Sequence, residues 1–226
     1  MRSDQLSYPA AGSPLTDLNR RPLPYHGSAL PTELRGRTHR LETCQPEPND
    51  ISNPEAVRYR PGVATTLRPA TRADAEALRA IYNVEVASST VTFDLVPRGL
   101  EDQIDWIEEH SGGHPAIVAI DDAGEVVGFG SLSPYRGRPA YSTTVEDSIY
   151  VGSERRSTGV GFQILSELVR LAQTYGYHSM IGRIVGGHDA SISLHRRCGF
   201  EIVGTEQEVG RKLGKWLDVV VMQRML

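Results

Sequence analysis

The sequence has little cysteine, no long apolar run and no excess of either charge. Cys44 and Cys198 are its only cysteines. Two cannot form a disulfide framework, so nothing points to an oxidising compartment. No stretch approaches the ~18 consecutive apolar residues of a membrane span. The first thirty residues open with Met1-Arg2 but lack the apolar core of a signal peptide. A formal charge of −4, from 24 basic and 28 acidic side chains, is mild and mixed. That excludes an electrostatic nucleic-acid footprint and a polybasic membrane patch. A soluble, cytoplasmic globular protein is expected, with neither nucleic acid nor membrane as partner. The 226 residues allow one large domain or two small ones.

The chain has two unlike parts. Residues 1–62 hold nine of the 14 prolines and contain neither Phe nor Trp. They show no helical or strand periodicity, and cannot bury enough apolar area to offset a backbone ordering cost of roughly 1–2 kcal/mol per residue. The segment reads as a disordered extension, with a flexible regulatory tail as the plain alternative. A third reading concerns the gene. Asp17-Leu18-Asn19 and Leu30-Pro31-Thr32-Glu33-Leu34 can be encoded by codons resembling the antisense of a transfer-RNA T arm and D arm. The start codon is then called too early, and initiation is expected near Val57 or Val63. No chemistry is expected from this segment, including His26, His39 and Cys44.

Residues 63–226 alternate strands with helices. An extended segment runs from Thr65 to Pro69. N-cap candidates at 71–74 precede a helix with Ala77, Leu78, Ile81 and Tyr82 inward. A second amphipathic helix spans Leu100 to His110, with Ile104, Trp106 and Ile107 inward. Strands follow at 116–120 and 126–131, joined by an Asp121-Asp122-Ala123-Gly124 turn. A further strand is expected at 144–151, a long helix at 159–175 closed by Gly176, a strand at 180–185, a short helix at 190–197, and strands at 200–205 and 216–222. This order gives a mixed α/β sheet.

The informative stretch follows strand 144–151. Val151-Gly152-Ser153-Glu154-Arg155-Arg156-Ser157-Thr158-Gly159-Val160-Gly161 feeds the long helix. A glycine-bearing loop at a helix N-terminus presents unpaired N–H groups and the positive end of the dipole, an anion site suited to pyrophosphate. Gly159 and Gly161 let a phosphate approach the main chain, and Arg155 and Arg156 add charge. An ordinary tight turn explains two glycines as well. There is no GxxxxGK[ST] and no GxGxxG after an early strand, so a P-loop enzyme and a dinucleotide fold are unsupported.

The sequence does carry Arg-x-x-Gly-x-Gly at Arg156 to Gly161, and downstream Ala190-Ser191-Ile192-Ser193-Leu194-His195-Arg196-Arg197-Cys198-Gly199-Phe200. In this order the pair resembles the GNAT acetyltransferase family. Ile81-Tyr82-Asn83, Ser89 to Phe93, Tyr135 to Tyr141, Val145 to Val151 and Gly214 to Val219 resemble its phosphinothricin N-acetyltransferase branch. The resemblance covers residues 64–226. It implies a GNAT acyl-CoA N-acyltransferase fold, a mixed, mostly antiparallel central sheet flanked by helices. It also implies acetyl-CoA as co-substrate without a metal, a homodimer, and acetylation of the α-amine of a small amino acid or analogue such as phosphinothricin or methionine sulfoximine or sulfone. On it, Arg156, Ser157, Thr158, Gly159, Val160, Gly161 and Phe162 cradle the pyrophosphate, and the helix after His188 lies beside the pantetheine arm. Two departures stand out. Ser157 occupies a frequent glycine position. His188 replaces an asparagine that holds a pantetheine amide, although an imidazole can still donate one hydrogen bond.

Acyl transfer needs a neutral amine, and a carboxylate can take the ammonium proton. Glu146 matches the catalytic glutamate of the branch; the plain alternative is a solvent-facing strand carboxylate. Asp147 points to the opposite face. His195 stands where many relatives place tyrosine. It can protonate the departing thiolate, bind the substrate's anionic group, or simply pack at the surface. Backbone N–H groups of Ile149, Tyr150 and Val151 are expected to bind the oxyanion. Arg136, Arg138 and Tyr141 align with substrate-side residues, where arginine clamps a carboxylate or phosphinate; otherwise they form a basic surface loop. Phe93 walls the pocket or packs in the core.

The remaining histidines, His110, His114, His178 and His188, show no metal-ligand spacing. Cys198 reads as packing, and Trp106 and Trp216 as core or dimer-interface residues. Two rival functions stay open: acetylation of a protein or peptide amine on the same fold, and a non-catalytic acyl-CoA-binding module.

Overall fold

The computed structural model describes residues 65–226. The extension at 1–62, the alternative starts at Val57 and Val63, and Cys44, His26 and His39 lie outside the described residues. Seven strands form one sheet: β1 (Thr66–Pro69), β2 (Ala116–Ile120), β3 (Val126–Pro134), β4 (Thr144–Val151), β5 (Ser179–Val185), β6 (Glu201–Lys212) and β7 (Lys215–Met225), in the order β1-β2-β3-β4-β5-β7-β6. Every neighbouring pair is antiparallel except β4 with β5. The helices are α1 (Ala75–Ser88), α2 (Leu100–Glu109), α3 (Val160–Thr174) and α4 (Asp189–Arg197). This is the mixed, mostly antiparallel sheet flanked by helices that the resemblance implies.

The helix starts follow from local chemistry. The Asp74 carboxylate accepts from the Thr71 N–H at 2.7 Å and the Thr71 hydroxyl at 2.8 Å, which fixes a 3-10 turn at Arg72–Asp74 ahead of α1. Arg68 grips the same carboxylate at 2.7 and 2.8 Å, and chiefly through that grip its pKa falls to about 2. Asp102 accepts from the Gly99 N–H at 3.0 Å at the start of α2. Along α1 the buried stripe is Ala75, Leu78, Tyr82, Glu85 and Val86. Ile81 packs partly buried against the same core, and Ala77 is half-buried.

The two faces of the sheet carry separate cores. Leu78, Tyr82, Val86, Ile104 and Ile107 of α1 and α2 pack against Val118 and Phe129. Ile164, Leu165 and Leu168 of α3 pack against Leu132, Val145, Met180 and Met222 on the other face. Close approach of α3 to β3 requires Gly130. A Cβ there would lie 2.6 Å from Ile164 Cγ2, 3.0 Å from Leu168 Cδ1 and 3.0 Å from the Ser148 carbonyl oxygen. The backbone contact cannot be relieved by a rotamer change, so Gly130→Ala is expected to cost about 1–3 kcal/mol, read as a lower midpoint of urea unfolding.

Three strands outrun their expected limits. β3 continues through Ser133 to Pro134, where it pairs with Glu146 and Val145 of β4. β6 and β7 are one long hairpin, closed by Leu213 and Gly214 at φ 50° and 76°. Positive φ at both central residues is what a two-residue hairpin turn of the mirror-image type needs. The polar run from Glu206 to Lys212 forms a strand because β6 is the edge of the sheet and most of it faces solvent.

Candidate active site

The parallel β4–β5 ladder joins Thr144 with Ser179 and ends at Asp147 with Gly182. β4 nevertheless continues to Val151 and β5 to Val185. Beyond the Asp147–Gly182 rung the two strands part, and the site is organised around that divergence.

At the end of β4 the Gly152 N–H donates to the Val127 carbonyl at 3.0 Å, and a 3-10 turn spans Ser153–Arg155. Ser157 and Gly159 then take φ of 61° and 94°, which turns the chain sharply into α3. That left-handed backbone at Ser157 is a conformation glycine adopts at no steric cost. The first helical acceptor of α3 is the Gly159 carbonyl, bonded by the Gln163 N–H at 3.1 Å. The N–H groups of Val160, Gly161 and Phe162 precede it and have no intrahelical acceptor. They form an anion site of the kind a pyrophosphate fills. Ile149 and Val151 pack partly against the α3 core. Tyr150 turns the other way, stacked on Phe129 at 5.2 Å and edge-on to Tyr82 at 4.9 Å, and burial pushes its hydroxyl pKa up.

The charge of this loop differs from expectation. Arg155 lies 2.7 Å from Asp121 of the β2–β3 turn, and Arg156 is paired with Glu85 of α1. Each arginine is matched by a carboxylate, so the anion site rests on backbone N–H groups more than on net positive charge. Thr158 is turned inward, its hydroxyl donating to the Arg155 carbonyl at 2.6 Å. His188 takes the N-cap position of α4 without a side-chain capping bond. Desolvation, then the Arg156 cation, hold its imidazole pKa down, leaving a neutral ring with one N–H to donate.

Glu146 sits on the last rung but one before the strands part, opposite Ser133 on β3 and Ile181 on β5. It is half-buried, and among the described residues its carboxylate makes no hydrogen bond or ion pair. Burial raises its pKa; Arg183 opposes that rise, Asp147 and Glu206 add to it, and Arg136 opposes it. A carboxylate that is partly desolvated and unpaired can accept a proton nearer neutral pH than an ordinary one.

His195 lies on the other face. Its Nε2 is 3.0 Å from Asp147 Oδ2, and its Nδ1 is 2.8 Å from the Ser191 carbonyl oxygen. A carbonyl only accepts, so Nδ1 carries a proton. The imidazole is 4% exposed and both nitrogens are engaged, so it is neither a surface-packed histidine nor free to meet a substrate anion. Desolvation lowers its pKa but is outweighed by the Asp147 charge and hydrogen bond and by the Ser191 carbonyl, so the net direction is up. Gly182 makes room for the ring: a Cβ there would lie 2.9 Å from Nε2.

The substrate-side residues fall into two groups. Arg136 lies over the Tyr135 ring at 4.9 Å and the Tyr141 ring at 5.7 Å, which gathers the β3–β4 connection into a basic aromatic cluster; Arg138 is exposed at its edge. Phe93 is exposed but its ring lies against Gly210 of β6, where a Cβ would come within 2.3 Å of it. Lys212 ties the same segment down, donating to the carbonyls of Thr92 at 2.8 Å and Glu85 at 3.2 Å.

Sequence reasoning missed Arg183 and Glu206, which pair through two hydrogen bonds near Glu146, and gave Asp147 no role. Arg183 was signalled as the one charge within the apolar strand 180–185. Glu206 carried no signal, since it lies in a run that reads as a polar loop. Among the described residues no helix is long and apolar enough to cross a membrane.

Comparison with known proteins agrees with this geometry. Residues 78–200 match the Acetyltransferase (GNAT) family. The chain is 40% identical over 162 residues to an L-methionine sulfoximine/L-methionine sulfone acetyltransferase of Pseudomonas paraeruginosa, covering 71% of this chain and 94% of that protein. It is 35% identical over 173 residues to a phosphinothricin N-acetyltransferase of Streptomyces coelicolor, covering 75% and 96%. A crystal structure of a GNAT superfamily phosphinothricin acetyltransferase from Sinorhizobium meliloti in complex with acetyl-CoA superposes with a TM-score of 0.68 at 39% identity, over 72% of this chain and 88% of that one. A strand divergence beside a helix N-terminus, a matching family pattern and relatives of this identity lead to one conclusion: the chain belongs to the GNAT acetyltransferase family.

Proposed function

We propose that the protein transfers the acetyl group of acetyl-CoA to the α-amine of a small amino acid or analogue of the phosphinothricin, methionine sulfoximine or methionine sulfone type. The observation that carries this reading is the unpaired, half-buried Glu146 beside the β4–β5 divergence, with Arg136 and Arg183 acting on it electrostatically. The names of the relatives support the substrate class.

The chain's own groups fit acetyl-CoA. The free N–H groups of Val160, Gly161 and Phe162, with Arg156, Ser157, Thr158 and Gly159, would hold the pyrophosphate, and Ile149 to Val151 with His188 the pantetheine arm. When bound, acetyl-CoA supplies an activated thioester carbonyl. Glu146 takes the ammonium proton. The N–H groups of Ile149 and Val151, which point away from β3, stand ready for negative charge on the carbonyl oxygen, whereas the Tyr150 N–H is engaged by Phe129 in the β3–β4 ladder. His195 is the acid in this scheme; its Nε2 must release Asp147 to deliver a proton. Arg136, Arg138 and Tyr141 clamp the substrate carboxylate, and Phe93 walls the amine side.

A homodimer and a cytoplasmic location belong to the same proposal. β6 is the sheet edge and exposes Ile202, Val203 and Val209, with Leu213 and Trp216 at the hairpin tip. Exposed apolar surface of this kind is ordinarily covered by a partner. The substrate reading is tested by following CoA release from acetyl-CoA with phosphinothricin, methionine sulfoximine, methionine sulfone, the twenty amino acids and a peptide with a free N-terminus. Turnover is expected on the analogues; turnover on the peptide alone would replace this substrate class with a protein one.

A further inference from the structure

Arg183 and Glu206 lie outside the anion site, near enough to the β3–β4 cluster to feel Tyr135 and Arg136, and both act on Glu146. Arg183 follows Ile181 by two residues on β5, so its side chain shares a face with Ile181 and with Glu146, the cross-strand partner of Ile181. Left alone, a guanidinium on that face would have Glu146 as an acceptor. Instead it reaches the other way. Its Nη1 donates to Glu206 Oε1 at 3.1 Å and its Nη2 to Oε2, a two-point grip that fixes the fork.

We propose that Glu206 is a positioning residue for acetyl transfer: by holding Arg183 it keeps that cation from pairing with Glu146 and leaves the Glu146 carboxylate free to accept a proton. The inference rests on the role of Glu146 proposed above. The charged groups around Glu146 come from every side: Arg183 on β5, Glu206 on β6, Arg136 on the β3–β4 connection and Asp147 on its own strand. From β3 it faces Ser133, whose hydroxyl is 3.1 Å from Nε2 of His110, the residue that caps the end of α2. Among these, the Arg183 cation most strongly favours the ionised carboxylate. A direct ion pair typically lowers a carboxyl pKa by about 1–3 units, and a weaker base transfers protons more slowly.

Two readouts on the full chain test this. The first is the Glu146 midpoint from carboxyl carbon NMR, which needs no substrate. Glu206→Gln is expected to lower that midpoint by about one unit. In an Arg183→Gln background the same substitution should shift it clearly less, because only the direct effect of the Glu206 charge then remains. The second is the pH profile of kcat on methionine sulfone: Glu206→Gln should move the acid limb to lower pH and reduce the plateau roughly threefold to tenfold. An unchanged or raised midpoint in Glu206→Gln overturns the proposal, as does an equal shift in both backgrounds. The expected midpoint shifts without turnover in any form would uphold the positioning of Arg183 and remove the proposed acetyl transfer.

Discussion

Glu146→Gln is expected to lower kcat by about 10²–10⁴-fold while acetyl-CoA binding stays close to that of the unaltered protein. The amide keeps the shape of the side chain and cannot take the ammonium proton. Glu146 lies within the β4–β5 ladder, whereas the anion site is the start of α3, so the substitution leaves the phosphate-binding N–H groups alone. Calorimetric titration with acetyl-CoA and a steady-state assay separate the two effects. Because burial raises the Glu146 pKa, the acid limb of the unaltered enzyme should lie above the ordinary carboxylate range. Undiminished turnover in Glu146→Gln would place the base elsewhere.

His195→Ala is expected to destabilise the fold by about 3–5 kcal/mol, the usual consequence of stranding one partner of a buried ion pair. The His195 and Asp147 side chains are 5% and 2% exposed, and among the described residues Asp147 Oδ1 already has no hydrogen-bond partner. Removing the imidazole leaves the whole carboxylate uncompensated. Urea unfolding measures the loss. Asp147→Asn should cost less, since a neutral amide beside a neutral imidazole strands no charge. The pH dependence has a definite sign. A folded-state pKa raised above the unfolded value gives stability that is complete below the unfolded pKa and is lost as pH rises through the folded one. The unaltered protein should therefore lose stability as His195 deprotonates, and Asp147→Asn, which removes the charge that raises the His195 pKa, should weaken or reverse that pH dependence.

The elements with a clear period were legible in the sequence. The long helix expected at 159–175 is α3, Val160–Thr174, with Ile164, Leu165, Leu168, Val169 and Ala172 buried along one face, and the β4 limits, Thr144–Val151, coincide with the expected ones. The β6–β7 hairpin was cut short because its turn is Leu213-Gly214 rather than an Asn-Gly or Asp-Gly pair, and because an edge strand needs no apolar alternation on its solvent side. At the site, the alternation that separates Glu146 from Asp147 was readable. What Asp147 meets was not, because His195 arrives from 48 residues away. The pairing of Arg156 with Glu85, 71 residues apart, was hidden for the same reason: local pattern fixes which face a side chain takes and says nothing of the partner waiting there.

Acetyl transfer to an α-amine is tested most directly by incubating the full chain with acetyl-CoA and methionine sulfone and locating the acetyl group in the product by NMR. An acetyl amide on the α-nitrogen, formed with CoA release and lost in Glu146→Gln, is the expected result. Bound acetyl-CoA with no acetylated product from this or any other small amino-acid amine would contradict it.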